Sequence, residues 1–391
     1  MKRIYVIAGE ASGDLHGANL INNLKTHAKE PIQIYGIGGD KIRATGAYGF
    51  YDLAHFHVTG LTDAIRKLPQ YKAAAKSILA KIKNIRPELV VLIDNPGFNL
   101  HLAEKLTAMG IPCVYYIAPQ LWAWNPKRIT KIKKYIRKVF VVFEFEKKFY
   151  EDAGVPVSFV GHPLKDMLET TGEVRQIKEK IGIGADGQLV ALLPGSRKGE
   201  LKILLPILIE AARRIADRLP KSYFALLKAP TIPKEYYQKM LAGSGLHIDL
   251  VEKNHYEVLK ASDLAVVCSG TATLECALLG TPMIITNRGT FITYVAAKAV
   301  IRIPFLGLPN IILGKPAFPE LLQYDATAEK ISGEALSILS NVKTRERMKR
   351  DLEEVSRRLG EPGAARRAAI EILKVLDTIK EQAGTFQVRS S

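Results

Sequence analysis

The sequence predicts an α/β chain of two domains, each a parallel sheet covered by helices on both faces. Three observations carry this reading. Short runs rich in Val and Ile recur, most of them followed by helix-like stretches. The strands read as near-continuous apolar runs, as strands buried on both faces must. The pattern comes in two series separated by a polar stretch, and 391 residues exceed one ordinary core.

The first series occupies residues 4–8, 32–37, 89–93, 113–117, 139–143 and 157–160, and the second 189–193, 223–227, 248–251, 264–267 and 283–286. Between residues 161 and 187 the chain is polar and strand-free, which places the seam there. The expected domains are 1–170 and 171–355, with 356–383 forming a helix that packs back on the first. In that helix Ala368, Ile370, Ile372, Leu373, Leu376 and Ile379 supply a packing face. Beyond Ala383 the apolar pattern stops and fraying is expected. No repeat that would indicate a solenoid is visible.

Composition narrows the class. The chain is 47% hydrophobic and 24% charged, the balance of a globular protein. The longest apolar stretch, 264–286, is interrupted by Glu275, Gly280 and Pro282, so no bilayer span is expected. The apolar run in KRIYVIAG at residues 2–9 is short for a secretory signal and reads as a first strand, hence a cytoplasmic protein. Cys113, Cys268 and Cys276 lack CxxC spacing and read as buried thiols. A net charge of +17 favours anionic partners. The basic residues are spread out, with no zinc finger, helix-turn-helix or RNP-type run, and no nucleic-acid partner is expected.

Four segments could carry chemistry. The first strand runs into GEASGDLHGANL, whose Gly9, Gly13 and Gly17 do not fit GxGxxG and argue against a dinucleotide dehydrogenase. The glycines suit either a tight strand-to-helix connection or a ligand loop, and Glu10 and Asp14 are placed to bind hydroxyls. Asp94, in IDNPGFNL, lies just past a buried strand, where a carboxylate could act as general base or make an Asx-type turn ahead of Pro96. In ALLPGSRKGEL, Gly195 admits close backbone approach, Ser196 offers a hydroxyl and Arg197 has the fork that matches phosphate oxygens. This segment is not GxxxxGK[ST], which disfavours P-loop phosphoryl transfer.

The fourth segment, DLAVVCSGTATLECALLGTPMIIT, reads as strand, turn and a helix from near Thr271 to Gly280. Amides of Gly270 and Thr271 could hold a diphosphate, and Glu275, out of capping-box register, could take a ribose diol. HExxH, HxxxH and DxD arrangements are missing, and His55 and His57 read as surface residues, so no metal is expected. Charge on a leaving diphosphate would fall to Arg197, helix dipoles and amides.

Taken together, AGEASGDLHGANL, GLTDAIRKLP, IDNPGFNLHLA, APQLWAWNPKRI, FEKKFY, GHPL, LLPGSRKGEL and SGTATLECALLGTPMII, in this order, resemble the lipid-A-disaccharide synthase family. The resemblance implies the GT-B architecture, two Rossmann-like domains facing each other across a cleft that holds the active site. It also implies inverting transfer of 2,3-diacylglucosamine from UDP to the 6-hydroxyl of 2,3-diacylglucosamine 1-phosphate, in Gram-negative lipid A assembly. Gly195, Ser196, Arg197, Ser269, Gly270, Thr271, Thr273 and Glu275 would hold UDP. Glu10, Ser12, Gly13, Asp14 and Asn99 would face the acceptor, with Asp94 the base. No cofactor is implied beyond the UDP-sugar substrate.

Departures from the family pattern are Gly97, where many relatives have a second acid, and Thr59 and Glu144, where Met and Pro are expected. Acylated substrates imply docking at the anionic cytoplasmic face of the inner membrane. Leu61, Ile65 and Leu68 on one helical face, flanked by Val58 and Tyr71 with Arg66, Lys67 and Lys72 nearby, could supply it or be plain core. A homodimer stays open. The rival readings are another UDP-sugar enzyme of this architecture, such as a UDP-N-acetylglucosamine 2-epimerase, or a noncatalytic UDP-sugar or lipid-binding protein. AGEASGD and IDNPGFN speak against the first rival, and Asp94 beside intact GSR and SGT motifs against the second.

Overall fold

The structure, a computed structural model, describes the chain except residues 10, 53–60, 125, 169, 171, 185, 290–303 and 389–391, and except the side chains of 11, 49–52, 61–68, 124, 380 and 382–388. The chain divides into two compact units, one of Met1–Lys165 with Leu359–Ser391, the other of Asp166–Arg358. The seam of contacts thus falls at 165/166 and 358/359, against the 170/171 and 355/356 expected from composition.

Among the described residues the first unit contains seven parallel strands: β1 (Lys2–Ala8), β2 (Ile32–Gly38), β3 (Tyr48–Asp52), β4 (Leu89–Ile93), β5 (Cys113–Tyr116), β6 (Lys138–Val141) and β7 (Val157–Phe159). Their order is β3-β2-β1-β4-β5-β6-β7. Alternation along each strand feeds two cores. Val90, Leu92, Cys113 and Tyr115 pack under Ile78 and Ile82 of the helix Leu61–Ile85 and Leu102 and Leu106 of the helix Pro96–Ala108. Leu89, Val91, Ile93, Val114 and Tyr116 pack on the other face.

That second face is covered by the helix Ala11–His27, through Leu20, Ile21 and Leu24, and by the C-terminal helix Ala364–Val388. Ala368, Ala369, Ile372 and Leu376 of the latter are buried, while Leu373 and Ile379 are partly buried against the same core. Burial of an aliphatic side chain of this size contributes about 1.5–3 kcal/mol. Arg367 Nε donates to Val160 O at 2.8 Å, and Lys138 pairs with Glu371 at 2.8 Å, tying the chain's end to its first half. The helix continues to Val388, past Ala383 where fraying was expected.

Among the described residues the second unit has six parallel strands: β8 (Gln188–Leu193), β9 (Ser222–Leu227), β10 (Asp249–Val251), β11 (Leu264–Cys268), β12 (Met283–Asn287) and β13 (Glu320–Leu322), in the order β10-β9-β8-β11-β12-β13. Both sheets are doubly wound. Strand order reverses between β1 and β4, paired up to Ala8↔Ile93, and between β8 and β11, paired up to Leu193↔Val267. Ligands of open α/β sheets collect beyond the carboxyl ends of strands at such reversals. Asp94 follows one of these points directly, and the GSR and SGT segments follow the other. No helix among the described residues is long and apolar enough to cross a membrane.

Candidate active site

In the second unit the reversal opens into a cleft of about 840 Å³. Gly195, Ser196 and Arg197 after β8 line one side, and Ser269, Gly270, Thr271 and Glu275 after β11 line the other. Gly195 has φ +111°, and a Cβ there would lie 2.4 Å from Glu200 Oε2, so this position needs glycine twice over. Gly270, at φ +147°, makes the other turn and leads through Thr271 into the helix Ala272–Leu279. Two helix N-termini therefore border one cleft.

Individual side chains have distinct places. Ser269 Oγ donates to Leu306 O at 2.9 Å. Thr273, expected to hold nucleotide, does not line the cleft: it is fully buried and its hydroxyl donates to Gly270 O at 2.7 Å, which holds the turn. Burial raises the pKa of Glu275, and the Tyr256 hydroxyl is raised by burial and then by the charge of Glu275. The Cys268 thiol, pushed up to about 12 chiefly by burial, supplies no thiolate.

The sequence reading missed several lining residues. Glu200 accepts the amides of Ser196 at 3.0 Å and Arg197 at 3.2 Å and pairs with the Arg197 guanidinium at 3.0 Å, so it both caps the helix Lys198–Arg218 and orients the arginine. Asn254, in the left-handed region at φ +57°, precedes the helix His255–Ala261 that follows β10, and it lines the cleft together with His255 and Tyr256 of that helix. The signal was available, since KNHYE directly follows a strand already recognised. Lys228, at the end of β9, is the comparable omission.

In the first unit, strain marks the corresponding edge. Asp94 (φ +49°) and Asn95 (φ +44°) end β4, and Ile117 (φ +56°) ends β5, all non-glycine residues in the left-handed region. The cost, about 1–2 kcal/mol for an ordinary side chain, falls chiefly on the β-branched Ile117, since Asp and Asn tolerate this region, and strain of this kind gathers at functional sites. Asp94 is half-buried. Its carbonyl accepts both the Tyr115 hydroxyl at 2.5 Å and the Asn99 amide at 2.6 Å.

Several residues expected at the acceptor serve the fold instead. Asp14 is 6% exposed, and its carboxylate accepts the amides of Gly39, Lys41 and Ile42 at 2.7, 3.0 and 3.0 Å, fixing the start of the helix Asp40–Ala44. Asn99 is 1% exposed and its amide is committed to Ile93 O and Asp94 O. Gly13 is buried, and a Cβ there would meet Ala8 Cβ at 3.5 Å, an ordinary contact, so it packs the helix Ala11–His27 on β1. Ser12 is exposed, and Glu10 lies outside the described residues.

Of the proposed membrane stripe, Val58 lies outside the described residues, as do the side chains of Leu61, Ile65 and Leu68; Thr59, His55 and His57 lie outside them too. Tyr71 packs edge-on against Phe98, centroids 5.6 Å apart, as part of the core and not of a free apolar face. Glu144 begins the helix Glu144–Asp152 and is exposed. Among the described residues no cluster of three His, Cys, Asp or Glu could hold a metal ion.

Two units, each a doubly wound parallel sheet, define a GT-B protein. Solved structures agree at the level of the fold: UDP-GlcNAc 2-epimerase from Neisseria meningitidis bound to UDP-GlcNAc has TM-score 0.65 over 96% of this chain and 100% of that one, at 14% identity. The glycotransferase of kitacinnamycin has TM-score 0.61 over 96% and 99%, also at 14% identity. The family model described as lipid-A-disaccharide synthetase matches residues 4–374. The lipid-A-disaccharide synthase of Syntrophus aciditrophicus (strain SB) is 39% identical over 96% of this chain and 98% of its own length. That of Myxococcus xanthus (strain DK1622) is 37% identical over 96% and 97%. The chain belongs to the lipid-A-disaccharide synthase family, a UDP-sugar glycosyltransferase family of lipid A biosynthesis.

Proposed function

We propose that the chain transfers 2,3-diacylglucosamine from UDP-2,3-diacylglucosamine to the 6-hydroxyl of 2,3-diacylglucosamine 1-phosphate, inverting the anomeric centre and needing no metal. The observation that carries this reading is the cleft bordered by two helix N-termini, Arg197 and Glu275, the furniture a uridine diphosphate requires. Gly195, Ser196, Arg197, Ser269, Gly270 and Thr271 line the diphosphate side, and Glu275 is the partner for the ribose hydroxyls. Thr273 shapes the turn from behind.

Chemically, Asp94 takes the proton of the acceptor 6-hydroxyl as its oxygen attacks the anomeric carbon and the bond to the diphosphate breaks. Such a base contributes roughly 10²–10⁴-fold. The negative charge that develops on UDP is met by Arg197 and by the positive ends of the two helix dipoles at the cleft. The acyl chains bring the enzyme to the anionic inner-membrane surface, where the net charge of +17 assists.

The test is turnover of the two acylated substrates in detergent with EDTA, comparing wild type with Asp94→Ala. Disaccharide and UDP from the wild type, with a loss of about 10²-fold or more in the variant at unchanged UDP affinity, is the expected result. A folded wild type that makes no disaccharide across several acyl lengths overturns the substrate assignment. Restoration of activity only on adding a divalent cation overturns metal independence.

A further inference from the structure

Asp94 is pinned through its main chain from two directions. Tyr115 reaches its carbonyl from β5 and Asn99 from the helix Pro96–Ala108, at 2.5 and 2.6 Å. Asn99 also donates to Ile93 O at 3.0 Å, so it spans the last strand residue and the first turn residue. Both side chains are buried, Tyr115 at 0% and Asn99 at 1% exposure, out of reach of a substrate. The turn they hold has two left-handed residues in succession, Asp94 and Asn95 at φ +49° and +44°, a region less favoured than the extended or helical one even for Asp and Asn, which tolerate it best after glycine.

Strand alternation explains the need. Val90 and Leu92 of β4 point into the core beneath the helix Pro96–Ala108, and an extended residue 94 would follow them there. A left-handed residue 94 breaks the alternation. We propose that Tyr115 and Asn99 are positioning residues for the transfer reaction: by fixing the Asp94 carbonyl they hold the left-handed turn that presents its carboxylate beyond the end of β4. The inference rests on Asp94 being the general base. The closeness of the two groups also appears in the Tyr115 hydroxyl, whose pKa is raised by burial first and then by the charge of Asp94.

A base displaced by about 1 Å loses about 100-fold in rate. Tyr115→Phe keeps the ring in the core and removes only the hydroxyl. Its kcat should fall roughly 10- to 100-fold, with KM for both substrates and affinity for UDP unchanged. Because the loss runs through Asp94, Tyr115→Phe should cost nothing further in single turnovers of Asp94→Asn. Asn95→Gly, which adopts the left-handed region freely, should recover part of the rate of Tyr115→Phe. Asn99→Asp, which sets an acceptor against the two carbonyls, should behave like Tyr115→Phe. A Tyr115→Phe enzyme with wild-type kcat overturns the positioning role, and so does a loss that multiplies with that of Asp94→Asn. An Asp94→Asn enzyme of full activity overturns the base assignment instead, and the positioning role with it.

Discussion

Asp14 shows what a carboxylate beside a glycine turn can be for. Three amides, from Gly39, Lys41 and Ile42, converge on it, and two of these contacts are buried. Removing the acceptor leaves those donors without a partner, at about 1–3 kcal/mol per buried group. Asp14→Ala is therefore expected to lose about 3 kcal/mol or more in urea unfolding, while its folded fraction keeps the wild-type KM for acceptor. A raised acceptor KM at unchanged stability would return Asp14 to the site. The sequence marked Asp14 by its place after the first strand, and the family resemblance marked Asn99, but neither could say what these side chains face, because their partners are backbone groups. Tyr115 went unnoticed because it lies inside an apolar strand, where only its hydroxyl has work to do.

At the scale of elements, the helix Glu144–Asp152 is locked at its start by a buried acid. Glu146 is fully buried, accepts the Trp122 indole N–H at 2.9 Å and the Phe143 amide at 3.3 Å, and is pushed by burial from 4.5 up to about 7. Its folded pKa lies above the unfolded one. The stability from the protonated form is thus fully present below about pH 4.5 and is lost as pH rises to about 7, by about 3 kcal/mol. Glu146→Gln should flatten the unfolding free energy across that window, and a variant with the wild-type slope would assign the slope to other groups. The strands themselves were legible where both faces are buried, from β1 and β4 at the centre of one sheet to β8 and β11 in the other. Of the four edge strands, which pair on one side only and need no continuous apolar run, β7 and β10 were legible while β3, with its glycine and aspartate, and the three-residue β13 were not.

At the scale of the molecule, one unit is continuous in sequence and the other is closed by the chain's end. The described residues that line the cleft all fall within 166–358. A fragment of those residues should fold and bind UDP in calorimetry with affinity close to that of the whole chain. Loss of UDP binding by the folded fragment would mean that the first unit supplies part of the nucleotide site.

The sequence by itself determined the two parallel sheets, the glycine turns at their carboxyl edges and the family, because strand periodicity and turn chemistry are local. Only the tertiary structure decided which polar residues at those edges are available to a ligand. Asp14 meets its donors 25–28 residues away and Tyr115 reaches Asp94 across 21, partners that come together only when neighbouring strands align.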